Sequence, residues 1–442
     1  MSFRGPAAKL ATGQERVATM RRKTIFRVAA LIVVVVVAVT SFFIFYHPPM
    51  RLMPPPLLFQ GQRDAVSGRI EELGEGSQLR VFYASSRLPV GPRDHRIYTV
   101  APDTRLHLGT ADLRIGGEET TLADLVEWTA GYAGGDRPFV HLDRMREAAT
   151  LDMPTPGPET EAWLQEVREA LATSGAQDLL VYVHGANTTV ERAAGQAAML
   201  QHFGGGNLVV VVFVWPTAEN FLRYGRDVRN AFAAGPHLAD LIALLARETP
   251  ARNIDVMTYS AGGTVGSTGL AVLAKDYPEE AGKLGQVYHA APDADFRGFV
   301  DDLAAYAPKA KEVTVAANTG DSALRLAQTV NRASRAGRPD LRELTPEAGA
   351  ALLGATQAGL VDVLQVLPDE MPDLPATSHT FWYDDPWVSN DLFLMYLFGL
   401  TPEARGLERR VGSTGAPVWT FGPDYVDRMR VLAPGLGLPP PG

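Results

Sequence analysis

Ser260 lies in Ile254-Asp255-Val256-Met257-Thr258-Tyr259-Ser260-Ala261-Gly262-Gly263, where an apolar strand pattern runs directly into a glycine-rich helix start. A serine at such a bend has the layout of a nucleophile elbow, with its hydroxyl held clear of the sheet. The helix behind it aims free N–H groups and a positive dipole end at the serine oxygen, so an anionic intermediate would be stabilised there. The usual pattern is G-x-S-x-G, and Thr258 stands where its first glycine would be. A serine between strand and helix also suits a plain N-cap, which is the competing reading.

A nucleophilic serine needs a base and an orienting acid, and in this kind of sheet they follow it in the order serine, acid, histidine. Of nine histidines only His289 and His379 come after Ser260. His289 falls inside or at the end of an apolar strand pattern. His379 follows the last strand candidate, Val361 to Val366, in the loop Ala376-Thr377-Ser378-His379-Thr380-Phe381, and is the better base. Asp321, just beyond the strand pattern Glu312 to Ala316, is the expected acid, able to orient the imidazole and stabilise its charged form. It also suits the N-cap of the helical pattern from Ser322. Asp293 and Asp295 are the substitute acids.

Two N–H donors must face the developing oxyanion. His184-Gly185-Ala186-Asn187 directly follows the strand Leu179 to Val183, so Gly185 or Ala186 supplies one donor and Ala261 the other, each typically worth about 3 kcal/mol in such sites. His184 is expected to be a loop histidine bonded locally. Phe381, Trp382, Tyr383 and Trp387 crowd the loop after the base, either as the wall of an acyl pocket or as cover for the core edge. No metal-ligand spacing is present, and Gly204-Gly205-Gly206 lacks the Lys-Ser/Thr of a phosphate loop. No cofactor and no metal is expected.

The elements that must hold these residues alternate. Helical patterns at Glu159–Ala172, Val190–His202, Val228–Arg247, Ala261–Lys275 and Ser322–Ser334 interleave with strands at Leu179–Val183, Leu208–Val214, Ile254–Met257, Gln286–Ala290, Glu312–Ala316 and Val361–Val366. Earlier strand character lies at Leu79–Ala84 and in pieces of Arg96–Ile115. Near-continuous apolar strands separated by helices imply a doubly wound, mostly parallel α/β sheet buried on both faces. There is no internal repeat.

The 442 residues, 46% hydrophobic and 21% charged, can bury a large core. A net charge of −9 without a concentrated basic face beyond the first few dozen residues excludes nucleic acid as a partner. The absence of cysteine excludes disulfides, thiolate metal sites, a cysteine nucleophile and attachment through an N-terminal lipidated cysteine. Residues 28–46, VAALIVVVVVAVTSFFIFY, carry no charge and are long enough to cross a bilayer as one helix. Arg4, Lys9, Arg16, Arg21, Arg22, Lys23 and Arg27 precede them against the single acid Glu15, which places the N-terminus in the cytoplasm and the rest of the chain on the far side. The aromatic end Phe42, Phe43, Phe45, Tyr46 favours an uncleaved anchor over a signal peptide. The expected organisation is a basic N-terminus (1–27), a transmembrane helix (28–46), a proline-rich linker (47–75), a catalytic domain (76–431) and a loose Pro/Gly-rich tail (432–442).

The series Tyr83-Ala84-Ser85-Ser86-Arg87, His184-Gly185-Ala186-Asn187, Trp215-Pro216-Thr217, Tyr259-Ser260-Ala261-Gly262, Ala290-Ala291-Pro292-Asp293, Gly320-Asp321-Ser322-Ala323-Leu324 and Ser378-His379-Thr380-Phe381 resembles a bacterial α/β-hydrolase family of unknown function. That family carries a Tyr-Ala-Thr-x-Arg start, a His-Gly-x-Asn loop, a Trp-Pro-Ser segment and a His-Ser-Met-Gly elbow. The likeness runs from about Leu79 to Leu400. It implies Ser260 as nucleophile, Asp321 as acid and His379 as base. The chain departs from it with Thr217 for the serine, and with Tyr259 and Ala261 flanking the nucleophile. The expected activity is hydrolysis of a small-molecule or lipid ester by a membrane-anchored serine hydrolase. The alternatives are a catalytically inactive binding or envelope-scaffold protein on the same fold, and an acyltransferase using the same three residues.

Overall fold

The computed structural model describes residues 23–38, 41, 49–73, 76–132, 136–151, 156–175, 178–412 and 415–438. The chain divides into two units, one of residues 1–48 with Asn220–Leu222 and one of Pro49–Glu219 with Arg223–Gly442. In the first, residues 23–38 form a helix whose side chains are exposed, among them Leu31, Ile32 and Val33 to Val37. Residues 39–40 and 42–46 of the expected span, with 1–22, lie outside the described residues. Among those described, no helix is long and apolar enough to cross a membrane.

The second unit is built on one sheet of twelve strands among the described residues: β1 Met50–Arg51, β2 Gln78–Val90, β3 Ile97–Ile115, β4 Phe139–Leu151, β5 Asp178–Val183, β6 Val209–Val214, β7 Asn253–Tyr259, β8 Leu284–Ala290, β9 Glu312–Ala317, β10 Val361–Gln365, β11 Glu408–Val411 and β12 Pro417–Thr420. Their order is β1-β4-β3-β2-β6-β5-β7-β8-β9-β10-β12-β11. From β2 through β12 in that order neighbours run parallel, while β1, β4 and β3 on one flank and β11 on the other pair antiparallel. The mostly parallel α/β sheet is the one the alternating pattern implies.

The central strands are apolar on both faces because both are covered. Tyr182, Val210, Val212, Met257 and Tyr288 enter a core shared with the helices Val190–Gly204 and Pro386–Phe398. Val181, Val211, Phe213, Val256 and Val287 enter a second core with the helices Tyr224–Glu248, Gly262–Asp276 and Phe296–Tyr306. The chain leaves β5 for β6 on one side, then returns to β7 on the other and continues outward. At such a reversal the connections diverge and leave a crevice beyond the carboxyl ends of β5 and β7. His184 and Ser260 follow those two ends.

Two expectations about segment boundaries are corrected. Within the expected linker 47–75, the described residues 49–73 do not form a spacer: β1 pairs with β4, Leu52 and Met53 are fully buried, Leu57 and Leu58 nearly so, and Arg63–Leu73 is a helix burying Val66 and Ile70. The prolines set an extended backbone, but the apolar residues between them have a core to enter, and Leu58 N–H is satisfied by Asn390 Oδ1 at 2.9 Å. The tail from Leu432 begins inside the helix Tyr425–Gly435, where Met429 and Ala433 are buried and Leu432, Leu436 and Leu438 pack on the core. Strand β4 was not foreseen. Its Asp143, Arg144 and Arg146 break the apolar run, because only one face of this antiparallel flank is fully covered, and Glu147 breaks it from the buried face through its contacts with Arg96 and His107.

Candidate active site

Ser260 sits at the β7 bend with φ 53°. A non-glycine residue in the left-handed region costs of order 1–3 kcal/mol and persists only where its surroundings fix it. Here they do: Ser260 N–H donates to Ala290 O at 3.0 Å, and Ser260 O accepts both Gly263 N–H and Asp293 N–H at 2.8 Å. Two glycines make room. A Cβ on Gly262 would lie 2.5 Å from Val183 O, and one on Gly185 would lie 2.9 Å from Ser260 Cβ.

Thr258 fits the first elbow position through a third glycine. A Cβ on Gly266, one turn into the following helix, would meet Thr258 Cγ2 at 2.3 Å, so the missing side chain has moved from strand to helix. The Thr258 hydroxyl lies 2.7 Å from His289 Nδ1, and His289 Nε2 lies 2.8 Å from Tyr306 OH. Burial pulls the His289 pKa down to about 3, which keeps the ring neutral. Both its nitrogens are engaged behind the elbow, leaving none for Ser260.

His379 is brought to Ser260 instead. Its Nε2 lies 2.8 Å from Ser260 Oγ and its Nδ1 2.6 Å from Asp321 Oδ2. Asp321 is fully buried, whereas the His379 side chain is 18% exposed and Ser260 9% exposed. The helix-cap contact and the imidazole contact of Asp321 are compatible, because each uses its own oxygen. Oδ1 accepts Leu324 N–H at 3.0 Å to start the helix Ser322–Asn331, and Oδ2 meets the imidazole. Asn318, at the end of β9, joins the acid's loop to the base's loop by donating Nδ2 to Ser378 O at 2.8 Å and to Ala376 O at 3.3 Å.

The loop after β5 is held from below. Asn187 has φ 51°, and its N–H donates to Asp227 Oδ2 at 3.3 Å, while Asp227 Oδ1 accepts Ala218 N–H at 2.6 Å. Burial raises the Asp227 pKa above the ordinary carboxyl value, and these two donors oppose the shift. His184 is locally bonded, its Nδ1 2.9 Å from Gly185 O, and its ring stacks on Trp215 with centroids 5.5 Å apart. Burial first, then the Arg87 charge, holds its pKa down to about 3. Among the described residues no acceptor is bonded to the N–H of Ala186 or of Ala261. Those N–H groups are therefore free to receive a substrate oxygen.

Arg87 is the residue that reading the sequence for chemistry undervalued. Fully buried, it donates Nε to Trp215 O at 2.9 Å, Nη1 to Glu219 Oε1 at 2.6 Å, and Nη2 to Thr188 O at 2.8 Å and Thr217 Oγ1 at 2.9 Å. One guanidinium thus ties the ends of β2, β5 and β6. The available signal was an arginine ending an apolar strand, where burial demands partners.

The substitute acids are placed elsewhere. Asp293 takes Tyr224 OH on one oxygen and Arg335 Nε on the other, and Asp295 caps the helix Phe296–Tyr306 by accepting Gly298 N–H. Neither contacts His379, because both carboxylates are committed to local partners. The aromatic cluster splits as well. Trp382 and Tyr383 surround Tyr259, whereas Trp387 stacks on Phe421 and Tyr425 in the core. Among the described residues no group of three or more potential ligands could hold a metal ion.

Residues 159–371 match the family described as alpha/beta hydrolase of unknown function (DUF900). The matched span includes Gly185, Ala186, Ser260 and Asp321, and stops short of His379. No curated protein matches the chain. Through residues 159–371 the chain is similar to this family of α/β hydrolases, whose function is not established.

Proposed function

We propose that the protein is a membrane-anchored serine hydrolase that cleaves an ester or similar acyl bond through Ser260, His379 and Asp321. The observation carrying this reading is the unbroken line of contacts, Ser260 Oγ to His379 Nε2 at 2.8 Å and His379 Nδ1 to Asp321 Oδ2 at 2.6 Å. His379 takes the hydroxyl proton as Ser260 Oγ attacks the acyl carbonyl carbon. Asp321 holds the imidazole in the productive tautomer and stabilises its charged form. The carbonyl oxygen, now anionic, receives the N–H of Ala261 and that of Gly185 or Ala186. The imidazolium returns its proton to the leaving alcohol, an acyl-serine remains, and a water activated by His379 releases the acid.

Anchoring rests on the uncharged run 28–46 behind a basic N-terminus. The helix over 23–38, with its valines, leucine and isoleucines exposed, is consistent with it. The hydrolase unit then works on the extracytoplasmic side, close to lipid or envelope esters.

A serine-directed fluorophosphonate should label the full-length protein, and Ser260→Ala should abolish the label while the protein stays folded. Equal labelling of Ser260→Ala would remove the serine from the mechanism. Retention in the membrane pellet after alkaline carbonate, with protease access only from the extracytoplasmic face, is the expected outcome for the anchor. Release into the wash would refute it.

A further inference from the structure

The ring of Tyr259, the residue before Ser260, lies against His379 with centroids 5.2 Å apart and planes 38° apart. It cannot swing away. Tyr259 is 7% exposed and is gripped edge-on by Tyr383 at 5.9 Å and by Trp382 at 6.0 Å. Trp382 packs in turn on Tyr182 of β5 at 5.6 Å. Burial keeps the Tyr259 hydroxyl protonated by raising its pKa well above the ordinary value, so what His379 meets is a neutral aromatic surface and not a phenolate. Behind it the Tyr383 hydroxyl bonds the Arg192 guanidinium.

An aromatic face carries negative electrostatic potential and attracts a cation held against it, most strongly where water is excluded. The imidazole of His379 is neutral before attack and charged during it. A ring fixed at this distance therefore favours the state that forms in the transition state over the resting one, which is how binding energy becomes rate.

We propose that Tyr259 is a positioning residue for His379: its ring braces the imidazole against Ser260 and stabilises its protonated form during acyl transfer. The inference rests on the hydrolase reading for its role in turnover, but the ring contact itself is testable without turnover. The groups facing His379 are the Asp321 carboxylate on Nδ1, the Ser260 hydroxyl on Nε2 and the Tyr259 ring. Tyr383 and Arg192 act at one remove, from the helices Phe381–Asp384 and Val190–Gly204, and Asp384 shares the first of these.

The test uses the full-length chain in detergent, labelled with 13C-histidine, with the His379 resonance assigned by its loss in His379→Gln. Tyr259→Phe should titrate as wild type, since it keeps the ring. Pentafluorophenylalanine at 259, which keeps the shape but reverses the ring's electrostatics, should lower the His379 pKa by about half to one unit, as should Tyr259→Leu. The acid limb of kcat/KM should move to lower pH by the same amount, with kcat down about tenfold and KM little changed. A purely structural role would leave the fluorinated protein like wild type. An unshifted or raised His379 pKa in the fluorinated protein overturns the proposal, and it does so even if Tyr259→Leu fails to fold. A lowered pKa without any Ser260-dependent turnover would sustain the ring contact and refute the hydrolase reading instead.

Discussion

The crevice at β5 and β7 and the antiparallel flank of β2, β3 and β4 both bury titratable groups, yet they use them in opposite ways. On the flank, Glu147 is 4% exposed and receives Arg96, with His107 Nδ1 at 3.3 Å and Tyr98 OH at 3.3 Å, while His107 Nε2 reaches Asp103 at 3.1 Å. Although burial opposes it, the contacts with His107 and Arg96 hold the Glu147 pKa down to about 2. Charges there end on one another. At the crevice the histidine and acid converge on a hydroxyl held in a left-handed bend, beside the N–H groups of Ala186 and Ala261, which have no partner among the described residues. A buried histidine and carboxylate do not by themselves mark a reactive site; an unspent nucleophile and unspent donors do.

Breaking the crevice should have the largest effect. Ser260→Ala or His379→Ala should lower turnover at least about a thousandfold without shifting the unfolding midpoint. Asp321→Asn is sharper, since its amide oxygen can still cap the helix while the other position loses its charge. Turnover should fall by about 10⁴, as loss of the orienting carboxylate does in serine proteases, with the melting temperature held near wild type. Equal losses of activity and stability would mean that Asp321 acts only as a cap.

Next comes the strut between the two regions. Arg87→Met leaves Glu219 facing a buried position and strips the main-chain contacts of Thr188 and Trp215. It should cost about 3–5 kcal/mol in denaturant unfolding. Gly266→Ala should cost about 1–3 kcal/mol through its clash with the Thr258 methyl. Thr258→Ser removes that methyl and keeps the hydroxyl facing His289, so the double variant should recover most of the loss. Simple addition of the two single effects would show that the contact does not explain Thr258.

The smallest effect belongs to the flank. The folded Glu147 pKa is lowered, so its contribution to stability is present above the unfolded value of 4.5 and is lost as pH falls toward about 2. Glu147→Gln should flatten the decline in stability across that window, measured by unfolding at fixed pH steps, and should leave turnover at neutral pH unchanged.

The same contrast decides what was legible in the sequence. Strands β5 to β10 announce themselves because burial on both faces leaves uninterrupted apolar runs. The order serine, acid, histidine selects Ser260, Asp321 and His379 because each follows such a run. Strand β4 hides because its exposed positions carry charges, and β11 and β12 hide because four residues each, ERRV and PVWT, are too short to show a period. The helix Pro386–Phe398 is buried along most of its length, its Ser389, Asn390 and Asp391 included, so it has no solvent-facing polar stripe to reveal it. The fit of Thr258 against Gly266 and the reach of Arg87 exist only in three dimensions. The proline-rich run 54–56 misled because an extended backbone is compatible with burial when its flanking side chains are apolar.

The bond from Asn318 to the peptide oxygens of Ala376 and Ser378 carries a consequence for which positions of this loop can change. The approach of the imidazole is set by main-chain atoms, which every amino acid supplies. Side chains at 376 and 378 can thus change and reshape the surface beside Ser260, while the distance from His379 to Ser260 is kept. Asn318 has no such freedom, because its side-chain amide makes both bonds.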